Sequence, residues 1–199
     1  MKKLLLLFCV IIYTFGYSQE PKIKRWYSTA DLDLIMHKKI EYGYSYFNTD
    51  LNHRVSGEEE INAKKVAFGF RYSFNYMFSR KWSIGVLTGY KSFKRPDFSM
   101  VEIGGILKYY FVDTDNVFVY TSLSNQISLN KNQLKSGSIA RIGLGVPVLK
   151  KEKFNLNLNV FKEQNFFRLN ENYALFGLEQ ERALDIVYRS WGISLGVKF

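Results

Sequence analysis

Trp191-Gly-Ile-Ser-Leu-Gly-Val-Lys-Phe199 closes the chain, and its residues sort by parity. Trp191, Ile193, Leu195, Val197 and Phe199 fall on one face of a strand; Gly192, Ser194, Gly196 and Lys198 fall on the other. The strand is expected to end on its own carboxylate. In a soluble domain such an end frays or pairs with a neighbouring edge. In a closed membrane barrel the last strand is sealed against the first. The stretch therefore predicts a barrel strand.

The same alternation runs backward through the chain. Val66, Phe68, Phe70, Tyr72, Phe74, Tyr76 and Phe78 form an apolar, mostly aromatic face opposite Lys65, Ala67, Gly69, Arg71, Ser73, Asn75 and Met77. Further strands are expected over 82–93, 100–111, 117–129 and 138–149, then from Phe154, and finally over 183–199. In the last of these the apolar set is even-numbered at Leu184, Ile186 and Tyr188 but odd-numbered from Trp191, which predicts a bulge near Arg189-Ser190. That makes seven, and 26–36 supplies an eighth, with Ala30, Leu32, Leu34 and Met36 outward and Thr29, Asp31 and Asp33 inward. The segment 40–51 is also strand-like: either an extended outer hairpin or the true first strand. Even strand numbers favour eight. The expected fold is all-β, an eight-stranded antiparallel up-and-down transmembrane barrel.

The N-terminus agrees. Met1-Lys-Lys followed by an apolar run from Leu4 to Phe15 and then Gly16-Tyr17-Ser18 reads as a cleaved signal peptide over 1–18. The run is too short to span a bilayer, which takes roughly 20 residues. Residues 19–199 are left as one domain. The single cysteine, Cys9, lies in the leader, so the mature chain offers no disulfide, thiolate ligand or cysteine nucleophile. The 17 Phe, 14 Tyr and 3 Trp suit strands and interfacial girdles. A mean hydropathy of −0.17 is compatible with a wall apolar outside and polar inside. Net charge is +10, or +8 once Lys2 and Lys3 leave with the leader. For an exported chain the natural counter-charge is anionic lipopolysaccharide rather than nucleic acid.

Loop lengths suggest an orientation. The links at 79–81, 112–116 and 150–153 are short, and those at 37–64, 94–99, 130–137 and 167–182 mostly longer, in strict alternation. Short turns face the periplasm in such barrels, which puts both mature termini there. A soluble sandwich or lipocalin-like barrel also alternates. These strands, however, run to about 11–13 residues, against a usual 5–6, and aromatic residues (Tyr76, Phe78, Trp82, Tyr109, Phe111, Phe154 and Phe199) gather beside the turns. Both features favour the membrane.

The leader, the eight-strand rhythm, the loop alternation and the terminal Gly-Val-Lys-Phe199 resemble small outer-membrane β-barrel proteins of the OmpA, OmpX and OmpW type. The resemblance is architectural. It implies the cell outer membrane, outer-membrane lipids and lipopolysaccharide as surroundings, and a monomer. It also implies that Trp191, Ile193, Leu195, Val197 and Phe199 serve as the signal read by the barrel assembly machinery. The chain is expected to end at its last strand, without the peptidoglycan-binding domain of full OmpA-like proteins.

Candidate chemistry is sparse. The interior of an eight-stranded barrel is just wide enough for side chains to fill. The expected lumen carries Asp31, Asp33, Arg71, Glu102, Lys108, Arg141, Glu163, Asp185 and Arg189, with Asp33 and Arg71 at one height and Glu102 and Arg141 near the outer end. These charges read as a salt-bridged plug, the alternative being a narrow path for ions or small solutes. The inward glycines (Gly85, Gly89, Gly104, Gly143, Gly145, Gly192 and Gly196) leave room for long charged side chains opposite. A lipid A-modifying hydrolase is the second alternative. Its best candidates are His53 with Ser56 and Glu58–Glu60, a proximity that polar loops produce by chance. His37 and His53 match no metal-ligand spacing, and no phosphate-cradling loop or nucleic-acid module is present. The expectation is a non-enzymatic envelope or surface-interaction barrel without cofactor.

Overall fold

The computed structural model describes residues 25–61, 66–94, 97–113, 115–129, 134–172 and 176–199. The expected leader, with Cys9, lies outside them. Nine strands follow in order: β1 (Trp26–Asn48), β2 (His53–Ile61), β3 (Val66–Met77), β4 (Trp82–Lys94), β5 (Asp97–Tyr110), β6 (Phe118–Ser128), β7 (Leu134–Lys150), β8 (Asn155–Leu169) and β9 (Arg182–Lys198). All neighbours are antiparallel, and β9 pairs with β1 to close an eight-stranded barrel of β1 and β3–β9. Among the described residues no helix is long and apolar enough to cross a membrane.

The ninth strand resolves the 26–64 region. β1 runs unbroken for 23 residues. Its first half pairs with β3 (Trp26↔Tyr76 to Met36↔Val66) and its second half with β2 (Ile40↔Ile61 to Asn48↔His53). Of the two sequence readings, the extended hairpin is the one formed. Its turn is built by Asn48, whose Oδ1 accepts hydrogen bonds from the amides of Asp50 and Leu51, and by Asn52 at φ 51°. Asparagine tolerates that left-handed conformation better than other side chains.

The wall is inverted relative to a soluble protein. Phe68, Val86 and Leu123 are 57%, 64% and 67% exposed, whereas Arg71, Glu102 and Arg141 are 4%, 2% and 2% exposed. Water does not sustain a continuous outer surface of this kind, and a bilayer does. At the end carrying the start of β1 and Phe199 the outward aromatics Trp26, Phe78, Trp82, Phe111, Phe154 and Phe199 form a ring. Trp26 stacks on Phe74 at 5.1 Å, and Trp82 packs on Tyr109 at 4.8 Å.

Following ladder partners round the inner wall leads from Asp31 through Arg71, Gly89, Glu102, Gln126, Gly137, Phe167 and Ile186 back to β1 at Tyr42. The walk climbs eleven residues (42 − 31), or ten without the bulged Lys38. Such stagger is the tilt of a barrel, so side chains at one height come from register positions that climb strand by strand.

Two expectations are corrected. The bulge opposite Arg189-Ser190 is on β1, where Lys38 is the extra residue between His37 and Lys39. β9 keeps its parity there: Ser190, Tyr188 and Ile186 all stay buried inside. The apolar residues change parity because the upper lumen is itself apolar. A second irregularity on β9 falls at Leu184, between the Gly43↔Asp185 and Tyr44↔Ala183 pairs. The 94–99 link is also not long, since Lys94 pairs directly with Asp97.

Candidate functional site

The lumen is stacked in three layers. Nearest the Phe199 end, Tyr27 Oη shares hydrogen bonds with Ser83 Oγ (2.6 Å) and Tyr110 Oη (2.7 Å), and Thr29 bonds Ser73 at 2.7 Å. Lys108 donates to Thr29 Oγ1 at 3.4 Å and lies over the rings of Tyr27 and Phe118, at 5.3 and 5.7 Å. Asp31 accepts from Asn159 Nδ2 at 3.0 Å. Lys198 closes this end on Asp115 at 3.0 Å.

The middle layer is ionic. Arg141 donates through Nη1 to Asp33 Oδ2 (2.7 Å) and through Nη2 and Nε to Glu163 Oε2 (2.6 and 2.9 Å). Its guanidinium lies 3.8 Å over the Phe161 ring. Lys91 donates to the same Glu163 oxygen at 2.9 Å and reaches Glu102 at 3.6 Å. Arg71 Nε sits 3.2 Å from Asp33, within ion-pair distance but outside hydrogen-bond alignment. Three cations and three carboxylates thus balance, each at most 4% exposed. Burial of charge on this scale demands such pairing.

Above it lies an aromatic layer. Phe93, Phe167 and Tyr188 pack at 5.4–5.8 Å, and His37 stacks on Phe93 at 5.5 Å. Higher still, Tyr42 donates to Glu181, which also accepts the amides of Phe176 and Leu178 and so ties the last loop across the mouth.

The structure places seven of the sequence-derived lumen residues inside the wall: Asp31, Asp33, Arg71, Glu102, Lys108, Arg141 and Glu163. Two are not there. Asp185 points outward beside Gly43, and Arg189 is exposed and pairs with Glu41 at 3.1 Å. Both follow from β9 holding its parity. Glu102 meets Lys91 rather than Arg141. Lys91 is absent from the sequence-derived set, although its place opposite Tyr90 on β4 marks it as inward. Several inward glycines face rings rather than charges: a Cβ at Gly143 would overlap Tyr120, and one at Gly192 would overlap Phe161. Trp191, Ile193, Leu195 and Phe199 are exposed on the outer wall, with Val197 half-buried among them.

His53 hydrogen-bonds the Leu51 carbonyl in the hairpin turn, and Ser56 sits in the ladder opposite Ser45. The other histidine, His37, bonds Ser190 Oγ at 2.7 Å, with Ser190 1% exposed beneath the aromatic layer. Among the described residues no group of three His, Cys, Asp or Glu side chains could hold a metal ion.

No protein-family model matches the chain, and no curated protein matches it in sequence. Among solved structures it is similar to the outer membrane protein OprG from Pseudomonas aeruginosa, at 13% identity over 88% of this chain and 96% of that one, with a TM-score of 0.51. AlkL, determined by solid-state NMR in DMPC bilayers, aligns at 11% identity over 92% of this chain and 93% of that one, TM-score 0.45. Neisserial surface protein A aligns at 16% identity over 85% and 96%, TM-score 0.42. At such identity the likeness to OprG speaks to fold alone, and the fold is that of a small eight-stranded outer-membrane barrel.

Proposed function

We propose that this chain is a non-enzymatic integral protein of the outer membrane, a monomeric barrel with a plugged lumen that presents the β1–β2 hairpin at the cell surface in an envelope or surface-interaction role. Both mature termini lie on the periplasmic side, outer-membrane lipids and lipopolysaccharide surround the wall, and the barrel assembly machinery reads the β9 face ending at Phe199. The observation that carries the closed lumen is the balanced ionic layer of Asp33, Arg71, Lys91, Glu102, Arg141 and Glu163, roofed by Phe93, Phe167 and Tyr188. Moving an ion through it means breaking buried pairs at roughly 3–5 kcal/mol each. The non-enzymatic reading is supported by His53 being engaged by its own turn and by Ser190 being shielded from any substrate. Reconstitution into planar bilayers tests the closed lumen: a silent trace is expected, and a steady single-channel conductance from the folded barrel overturns it.

A further inference from the structure

β2 has a neighbour on one side only. Among the described residues it pairs with β1, whose other edge at that level is taken by β9. Phe47 gives its amide to the Glu179 carbonyl at 3.2 Å, away from β2. Opposite residues of an antiparallel pair turn their backbone polar groups either both toward each other or both away. Arg54, the ladder partner of Phe47, therefore presents its N–H and C=O at the free edge. Alternation carries the same exposure to Ser56, Glu58 and Glu60. The register with β1 is unbroken from His53 to Ile61, and the strand contains no proline and no lysine. Bulges, proline and lysine are the usual guards against pairing at such an edge, and β2 has none of them.

The charge on this edge runs against that of the whole chain. Net charge is +10, yet β2 carries Glu58, Glu59 and Glu60 against Arg54. Lys39 takes Glu60 at 2.9 Å, but no cation among the described residues lies within ion-pair distance of Glu58 or Glu59. Both are exposed. Glu58 shares a face with Asp185 across Gly43, and burial first and Glu58 second hold the Asp185 carboxyl above its usual range. Glu59 stands on the opposite face, beside its ladder partner Tyr42. The edge thus offers a row of backbone hydrogen bonds and one uncompensated carboxylate on each face.

We propose that the free edge of β2 takes up an extended basic segment of another protein as an added antiparallel strand, with two successive Lys or Arg residues set opposite Glu58 and Glu59. Such a segment closes the open row of amides and carbonyls. Successive residues of a strand point to opposite faces, so each cation meets one of the two carboxylates. Opposite charges set directly across a ladder stabilise it, and like charges there oppose it. A second copy of this chain fits the edge less well, because β2 against β2 brings two acidic runs together with only an Arg54 from each to offset them.

The inference deepens the surface-interaction reading of the hairpin and rests on it. The probe is a fluorescent peptide of alternating Thr and Val around a central Lys-Arg pair, titrated against the detergent-purified barrel. One control peptide carries Glu-Asp at its centre, and another keeps Lys-Arg but has proline in place of each valine. The basic extended peptide should bind about tenfold more tightly than either control. Glu58→Gln with Glu59→Gln should erase its preference over the acidic peptide. Ser56→Pro removes an amide at the free edge while leaving the ladder to β1 intact, and should erase the preference over the proline peptide. Equal binding of basic and acidic peptides, equal binding of the proline peptide, or unchanged binding to Ser56→Pro each overturns the site. Concentration-dependent self-association of the purified barrel that is lost in Ser56→Pro would give the edge to a second copy and overturn it as well. Heat-modifiable migration of every variant confirms that it is folded. If the purified barrel takes up the basic peptide and intact cells do not, the edge site stands and the surface placement of the hairpin falls.

Discussion

Glu163 is the residue on which the lumen turns. One carboxylate oxygen takes hydrogen bonds from Lys91 and from two nitrogens of Arg141, and the other accepts from Asn165. Glu163→Gln leaves two buried cations short of a counter-charge, a loss expected to cost about 3–5 kcal/mol. Glu102 touches the same network only at 3.6 Å, and its Oε1 accepts no hydrogen bond among the described residues. Glu102→Gln is therefore expected to cost about 1–2 kcal/mol. Unfolding followed by heat-modifiable migration ranks the two, and equal losses would contradict the central role given to Glu163. Gly143 offers a steric counterpart, since all three nearest contacts of an added Cβ are with Tyr120. Gly143→Ala should cost about 1–3 kcal/mol, and most of that penalty should vanish in a Tyr120→Leu background. A full penalty in both backgrounds would locate the strain elsewhere.

At the scale of the element, β1 and β9 show where sequence reasoning succeeds and where it stops. Parity located the wall strands from Val66 onward and the outward faces of β3 to β5, where exposed apolar residues such as Phe68, Ile84 and Ile103 alternate with buried Arg71, Ser83 and Glu102. On β9 the equation of apolar with outward fails above Ser190: Tyr188 and Ile186 are apolar and inward, packed with Phe93 and Phe167. Asp185 and Arg189 were misplaced for that one reason. The ionic layer was legible as a set of inward charges but not as pairs. Lys91 and Glu163 are 72 residues apart, and only the stagger of the closed barrel brings them to one height. The outer extension of β1, β2 and β9 carries a pH response of its own. Burial, and then Glu58, hold the Asp185 carboxyl above the usual carboxylate range. A raised folded value means that the stabilising contribution is present at low pH and is lost as pH rises through it. Amide exchange in β2, corrected for its intrinsic rate, should slow as pH falls from 7 toward 4, and Asp185→Asn should flatten the response. A wild-type profile already flat in pH would remove Asp185 from that role.

For the whole molecule, the inside-out wall suits an apolar surrounding, and the three lumen layers fill the described interior with paired charges and packed rings. The start of β1, the C-terminal Phe199, the aromatic ring of Trp26, Phe78, Trp82, Phe111, Phe154 and Phe199, and the turns that follow β3, β5 and β7 all lie at one end. The β1–β2 hairpin lies at the other, beyond the charged belt of Lys39, Glu41 and Arg189. Insertion with the terminal end inward lets the short turns follow the strands through the membrane while the hairpin remains outside. Because the sequence's single cysteine is Cys9, in the expected leader, introduced thiols report orientation without background. Ser56→Cys in the hairpin and Lys151→Cys in the β7–β8 turn are both exposed positions. On intact cells a membrane-impermeant maleimide should label Ser56→Cys and spare Lys151→Cys until the outer membrane is permeabilised. The reverse pattern would invert the orientation, and labelling of both on intact cells would mean that the barrel does not span the membrane at all.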